Sequence, residues 1–445
     1  MSGIASILHS RGFSVQGTDR AASPMTQRLS ESGIKVFIGH KPENLLNASV
    51  LVVSSAIQSD NPEFVEAKRR GMVIIKRAEM LAEIVRKTHN IAISGTHGKT
   101  TTSGLISVML EKSGCDPTVV NGGIIENFQS NAKNGHGKWS VIEADESDAS
   151  FLFLPATCVV ITNIDPEHME QYKSVDALHQ AFYNFAYKTP FYGCIVCGID
   201  SLPVRDLARK IENRRVVTYG YDSSADVQPC GVSFSSDGRG FFDVSCKIPW
   251  LEQDRLIKEL ELPISGRHNV QNALAAVCTG VCIGLSDDDI KMGLRAFQGV
   301  KRRYTLVGTW KNYDVVDDYS HHPVEIEAAL STARTRTTGK VIAIHQPHKY
   351  SRLEYLFDGF AKCFSDADTV LVSDVYSAGE SPIDGVSGES LACAVSKAEH
   401  PSAAYLGDWL NLEDMLEKHT RDCDKGIIIF LGAGDITNRA ASLCS

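Results

Sequence analysis

No stretch of this chain approaches the roughly 20 consecutive apolar residues that a membrane-spanning helix needs. The opening residues, MSGIASILHSRGF, place no basic segment ahead of their short apolar run, so a signal peptide is not expected either. Cysteine is sparse: 12 in 445 residues cannot staple a chain of this length, which excludes a disulfide scaffold. An excess of positive charge is missing too, the formal net charge being -9. That argues against a protein that coats nucleic acid, while leaving room for a local basic pocket that takes a small anion. Internal repeats and low-complexity linkers are absent. What remains, 43% apolar and 22% charged residues, is the composition of a soluble globular protein, and a cytoplasmic enzyme of roughly two to four domains is expected. Cys194 and Cys197 form a C-x-x-C, but in an apolar strand they point to opposite faces, so buried thiols are expected rather than a metal or redox site.

The chain is organised around HNIAISGTHGKTTTSGLISVMLEKSG, residues 89–114. An apolar strand runs into a Gly-Lys-Thr turn, and Leu105, Val108 and Met109 then recur at helical spacing until Gly114. Amides at a helix N-terminus point at an anion, glycines let phosphates approach, and the lysine and hydroxyl supply a cation and a magnesium ligand. Gly95, Gly98, Lys99 and Thr100 are therefore the phosphate-site candidates. Gly95 lies only three positions before Gly98, closer than the general P-loop pattern places its first glycine, and the alternative is a strand-to-helix turn with a solvated lysine.

Residues 1–88 alternate short strands (FSVQGTD, KVFIGH, VLVVSS, VIIKR) with helical stretches, an α/β pattern in which Asp19 ends the first strand where a ribose-binding acid belongs. Across 89–300, two further strand ends carry Glu143, Asp145, Glu146 and Asp148, then Asn163, Asp165 and His168. In open parallel sheets such ends converge on a ligand. Residues 215–264 are expected to form an antiparallel excursion at the edge of that domain. Asn269 and Asn272, one helical turn apart with His268 beside them, could read an adenine edge or cap the helix. From 301 to 445 a third α/β pattern carries Asp317, Asp318, Tyr319, His321, His322, HQPHKYSR, DVYSAGE and LGAGD at its strand ends.

The segments GTHGKTTT, EADESDASF, TNIDPEHMEQY, GRHNVQNALAA, GVKRRY, DDYSHHP, HQPHKYSR and LGAGDI occur in one order along nearly the whole chain. Together they resemble the Mur ligases of bacterial cell-wall synthesis, most nearly the alanine-adding members. The resemblance implies an α/β fold of three domains: a Rossmann-like UDP-binding domain (1–88), a central P-loop-type ATPase domain (89–300) and a Rossmann-like C-terminal domain (301–445). It implies ATP-dependent joining of L-alanine to the lactyl carboxylate of UDP-N-acetylmuramate through an acyl phosphate, with ATP and Mg²⁺ required and no nucleic acid or membrane partner. By motif position, Thr96, His97 and Thr101 complete the ATP loop around Lys99. Thr100, Glu143 and His168 would serve the metal, and Asn269, Asn272 and Arg303 the nucleotide. Asp318 would face ATP, while Tyr319, His321, His348, Lys349 and Arg352 would hold the amino acid. Lys349 stands where the family carries arginine, which shifts the carboxylate contact towards Arg352. Family members open with a strand and a G-x-G-G-x-G-M loop; the chain is expected to continue upstream into them, the alternative being a sheet that has lost that strand and its loop. The rival expectations are a murein-peptide recycling ligase and a degenerate, non-catalytic nucleotide-binding relative.

Overall fold

The structure, a computed structural model, describes residues 1–398, 402–407 and 409–444. The chain divides into two compact units, one made of Met1–Val232, Phe242–Glu261 and Gln271–Gln298, the other of Ser233–Phe241, Leu262–Val270 and Gly299–Ser445.

The first unit begins with the helix Ser2–Ser10 and two separate parallel strand pairs: β1 (Gln16–Asp19) with β2 (Lys35–Ile38), and β3 (Val50–Val53) with β4 (Val73–Lys76). Its main sheet has ten strands. They are β5 (His89–Ser94), β6 (Thr118–Ile125), β7 (Ser130–Lys133), β8 (Trp139–Glu143), β9 (Cys158–Ile161), β10 (Cys194–Gly198), β11 (Val216–Tyr219), β12 (Val227–Phe234), β13 (Gly240–Cys246) and β14 (Arg255–Leu262). The order is β14-β13-β12-β11-β10-β9-β5-β8-β6-β7. β5 is the pivot: β8 and β6 follow on one side and β9 and β10 on the other, so the strand order changes direction where the Gly-Lys-Thr turn leaves the sheet. Ile91, Ala92 and Ile93 on β5 and Val159, Val160 and Ile161 on β9 are fully buried, as strands covered on both faces must be. β6 and the edge strand β7 were not among the strands expected from the sequence, and the 215–264 excursion departs from a wholly antiparallel one, because Tyr219 of β11 meets Val227 of β12 in the parallel sense.

The second unit is built on six strands: β15 (Thr305–Trp310), β16 (Tyr313–Asp318), β17 (Lys340–His345), β18 (Thr369–Ser373), β19 (Ala403–Gly407) and β20 (Gly426–Leu431), in the order β15-β16-β20-β17-β18-β19. All neighbours are parallel except the β15–β16 edge hairpin. The runs GIIIFL and KVIAIH make the middle of this sheet because Ile427 to Leu431 and Val341 to His345 are inside on both faces.

Candidate functional site

Two clusters of polar side chains stand at strand ends, one in each unit. In the first, β5 ends at Ser94, the loop Gly95 to Gly98 turns, and the helix Lys99–Lys112 begins. Both glycines are obligatory. Gly95 has φ +132, and a Cβ there would meet the Thr162 hydroxyl at 2.2 Å. Gly98 has φ +81, and a Cβ would meet Asn272 Oδ1 at 2.4 Å. The end of β9 fixes the loop from below. Asn163 accepts from the Thr96 amide through its carbonyl (3.0 Å) and from the His97 amide through Oδ1 (2.8 Å). The Thr162 hydroxyl donates to the His97 carbonyl at 2.6 Å. His97 Nε2 faces Asp165 at 3.1 Å. Thr101 is buried in the first turn of the helix, and Asn272 accepts from the Thr102 hydroxyl at 3.3 Å beneath the turn.

Lys99 folds back under this loop. Its ammonium donates to the Gly95 carbonyl (2.5 Å), the Thr96 carbonyl (3.1 Å) and Glu146 Oε1 (2.7 Å). Burial lowers its pKa, but the Glu146 and Asp145 carboxylates more than offset that, so the group is held above its ordinary value and stays charged. Burial is the largest influence on Glu146 and pushes its carboxyl up against the pull of Lys99. Beside this pair the Thr100 hydroxyl donates to Glu143 Oε1 at 3.1 Å, and Glu143 Oε2 accepts from the Gly122 amide at 2.8 Å. His168 lies in the left-handed region (φ +58), between Glu167 at 3.9 Å and Glu170 at 3.8 Å. Burial pushes the neighbouring Asp145 carboxyl up, but the Lys99 ammonium and the hydrogen bonds from Ser147 outweigh it and hold the group below its usual range. Among the described residues no group of three or more His, Cys, Asp or Glu is arranged to hold a metal ion. The donor chemistry still suits Mg²⁺: a hydroxyl and a carboxylate side by side at a helix N-terminus are hard oxygen ligands, and Mg²⁺ usually fills its other positions with water and phosphate. The glycine-walled turn with its buried ammonium likewise fits a nucleotide's phosphates.

In the second unit, Asp318 ends β16 and is only 6% exposed. Its carboxylate accepts from the Tyr304 amide at 2.7 Å and from both the amide (2.8 Å) and the hydroxyl of Ser320, while its carbonyl accepts from the Gly432 amide. Asp318 thereby ties three backbone segments together. Arg302 donates to the carbonyls of Gly432 (2.7 Å) and Gly434 (3.1 Å) and lies over the Tyr319 ring at 4.9 Å. Arg303 covers the same ring at 5.2 Å and faces Glu325 at 3.8 Å. His321 is set by the Tyr319 carbonyl at 2.9 Å and by Glu325, which accepts from its amide. His348 stacks on Tyr376 (centroids 5.5 Å, 9° apart) and meets the His321 ring edge-on at 6.0 Å. Arg352 Nη1 lies 3.1 Å from His348 Nδ1 and donates to its carbonyl. Burial first, then the charges of His321, Arg352 and Lys349, hold the His348 imidazole down to about 4, so it is neutral at pH 7. Lys349 takes φ +70 and donates its amide to the Tyr376 carbonyl.

The sequence candidates thus gather as Gly95 to Thr101 with Glu143 and His168 in one cluster, and as Arg303, Asp318, Tyr319, His321, His348, Lys349 and Arg352 in the other. Asn272 lies under the first, whereas Asn269 donates to the Ser265 carbonyl at 2.7 Å. Asp19 sits exposed at the end of β1. Glu146 and Asn163, read from the sequence as polar strand-end residues but given no role, prove central to the first cluster, and Glu325, which the sequence reading did not name, to the second. Glu325 had a legible signal, a carboxylate one helical turn after His321. The C-x-x-C thiols are buried, with Cys194 Sγ 3.2 Å from Cys158 Sγ.

Residues 1–89 match the profile described as "Mur ligase family, catalytic domain", residues 93–280 "Mur ligase middle domain" and residues 302–434 "Mur ligase, glutamate ligase domain". Over 443 residues the chain is 49% identical to the UDP-N-acetylmuramate--L-alanine ligase of Chelativorans sp. (strain BNC1), covering 100% of this chain and 95% of that protein. A protein of the same description from Agrobacterium fabrum is also 49% identical, over 446 residues, covering 100% of this chain and 94% of the relative. Among solved structures, the UDP-N-acetylmuramate-alanine ligase of Thermotoga maritima superposes with a TM-score of 0.82 at 27% identity, covering 100% of this chain and 95% of that one. A murein peptide ligase from Psychrobacter arcticus shares the fold, with a TM-score of 0.71 at 24% identity and coverage of 100% and 96%.

Proposed function

The chain belongs to the Mur ligase family, and from that premise we propose that it joins L-alanine to the lactyl carboxylate of UDP-N-acetylmuramate, with ATP cleaved to ADP and phosphate. The observation that carries this is identity near one half along the full chain to relatives described as UDP-N-acetylmuramate--L-alanine ligases. The chemistry of the first cluster suits it. A carboxylate is a poor acyl donor, and ATP, when bound, supplies the phosphoryl group that turns it into an acyl phosphate with a good leaving group.

The chain's own residues supply positioning and charge. Lys99 and the first-turn amides at Thr100 and Thr101 would hold phosphate, with Gly95, Thr96, His97 and Gly98 shaping the loop. Thr100 and Glu143 would hold Mg²⁺, with His168 as an outer support. Asn269, Asn272 and Arg303 are assigned to the nucleotide. Asp318 acts by holding Tyr304, Ser320 and Gly432 in place around the ATP-facing strand end. Tyr319, His321, His348, Lys349 and Arg352 are assigned to L-alanine. A neutral His348 suits that task, because an unprotonated imidazole can accept a proton from the alanine ammonium, which must lose one before its nitrogen can attack. Residues 1–88, with Asp19, are assigned to the UDP-sugar, 89–300 to ATP and 301–445 to the amino acid. No helix among the described residues is long and apolar enough to cross a membrane. The compartment proposed for the reaction is the cytoplasm, where ATP is available.

The test is phosphate release from ATP with UDP-N-acetylmuramate and, in parallel, L-alanine, glycine, L-serine or the murein tripeptide. L-alanine should give the highest kcat/KM. A higher value with the tripeptide would replace this reading by the recycling ligase, and nucleotide binding without turnover by a non-catalytic relative.

A further inference from the structure

Lys99 has three N–H donors, and the structure gives each an acceptor inside the protein: two loop carbonyls and Glu146 Oε1. To take a phosphate the ammonium has to surrender at least one of them. The loop carbonyls are neutral and move with the loop, so the partner whose loss has electrostatic consequences is Glu146. That carboxylate is 2% exposed. Its other oxygen lies 3.5 Å from the Ser94 hydroxyl, and the residue is pinned by the Tyr172 hydroxyl, which donates to its carbonyl. It is distinct from Glu143, which is engaged with Thr100 and Gly122.

We propose that Glu146 is a positioning residue for Lys99, an internal counter-ion that holds the ammonium under the loop and competes with nucleotide phosphate for it. Two physical effects follow, and both have the same sign for binding. The pair stabilises the free state, because a buried ammonium without a counter-ion is strongly unfavourable. Once Lys99 turns to phosphate, Glu146 is left as a buried, poorly solvated charge that destabilises the bound state. Glu146 therefore weakens nucleotide binding and keeps the cradle closed around its own lysine until a phosphate displaces it. A carboxylate that merely braced the fold would act oppositely, since removing it would loosen the loop and weaken binding.

The inference rests on the ATP-binding reading above, and one titration separates the two. The full chain is titrated calorimetrically with Mg²⁺ and the non-hydrolysable β,γ-imido analogue of ATP. If the wild type fails to bind, the nucleotide reading itself fails. If it binds, Glu146→Gln, which keeps shape and hydrogen-bonding capacity but removes the charge, is expected to bind about tenfold tighter, equivalent to about 1.4 kcal/mol. The nucleotide-free variant should melt at a lower temperature, and KM for ATP should fall while KM for L-alanine stays put. The gain must vanish when Lys99 is already glutamine, because the effect passes through that ammonium. Should Glu146→Gln not fold, Glu146→Asp, which retracts the carboxylate from Lys99, takes its place with a smaller gain. Unchanged or weaker binding in the folded variant, or a gain that persists in the Lys99→Gln background, overturns the assignment.

Discussion

At the scale of single residues, Lys99 matters through what it neutralises. Without it, the buried Glu146 carboxylate loses the cation with which it is paired. Lys99→Ala should therefore lower the rate of phosphate release by about 10²–10³, the range for losing one transition-state charge contact. It should also destabilise the protein by about 3–5 kcal/mol, the range for orphaning one partner of a buried pair. Phosphate release and urea unfolding measure the two, and an unchanged rate would remove Lys99 from the chemistry. His345 makes a different prediction. Its ring is fully buried against Phe360 and Phe364, its Nδ1 lies 3.0 Å from the Leu431 carbonyl, and burial pushes the imidazole down to about 4. A folded pKa below the unfolded one means the unfolded chain binds the extra proton. The stability tied to His345 is therefore present above the ordinary histidine range near 6.5 and is lost as pH falls towards 4. His345→Phe should flatten that part of the pH–stability curve, and little is orphaned, because the Leu431 carbonyl also accepts from the Gln346 amide at 3.0 Å. A curve of unchanged slope between those limits would contradict the assignment.

At the scale of elements, the strand–turn–helix unit was readable because its determinants are local: an apolar strand, two glycines, and a helix whose buried Leu105, Val108 and Met109 recur at helical spacing. The sharpest local requirement is at Gly98. Gly98→Ala forces a Cβ into a left-handed position and against Asn272, so the turn must open. Loss of nucleotide binding is expected, together with about 1–3 kcal/mol of destabilisation. Calorimetric titration and thermal melting check both, and wild-type affinity in the alanine variant would mean that the turn is not the cradle. Glu143 was read together with Thr100, but the pairing of Glu146 with Lys99 was not readable. EADESD places Glu143 and Glu146 three positions apart, and only the turn beyond β8 sends the first to Thr100 and the second to Lys99. That turn is fixed by the Ala144 amide on the Ile93 carbonyl and the Ser147 amide on Asp145. Asn163 was visible as a polar residue at a strand end, but its bonds to the loop depend on β9 lying beside β5, a tertiary fact. The hairpin strand β15 escaped for a related reason: TLVGTW is held as an edge by its pairing with β16, and its exposed Leu306 and Val307 break the in–out alternation.

At the scale of the whole molecule, binding and stability are one quantity seen twice. A ligand that binds only the folded chain stabilises it by RT ln(1 + [L]/Kd), about 2.7 kcal/mol at a hundredfold excess over Kd. The phosphate cradle, its counter-ion and the Thr100–Glu143 pair all belong to the first unit, whereas the cluster assigned to L-alanine belongs to the second. Protection against hydrogen exchange by the Mg²⁺–imido-ATP complex should accordingly include the amides of residues 95–102 and 143–146. Protection by L-alanine, added to the ternary mixture with UDP-N-acetylmuramate, should include 319–322 and 348–352. Lys99→Ala should erase the first pattern. Since the amino acid is assigned to residues in the other unit, the same substitution should spare whatever protection L-alanine gives without nucleotide. If instead L-alanine protected residues 95–102 and left 348–352 exchanging at the free rate, the division of labour between the two strand-end clusters would have to be reversed.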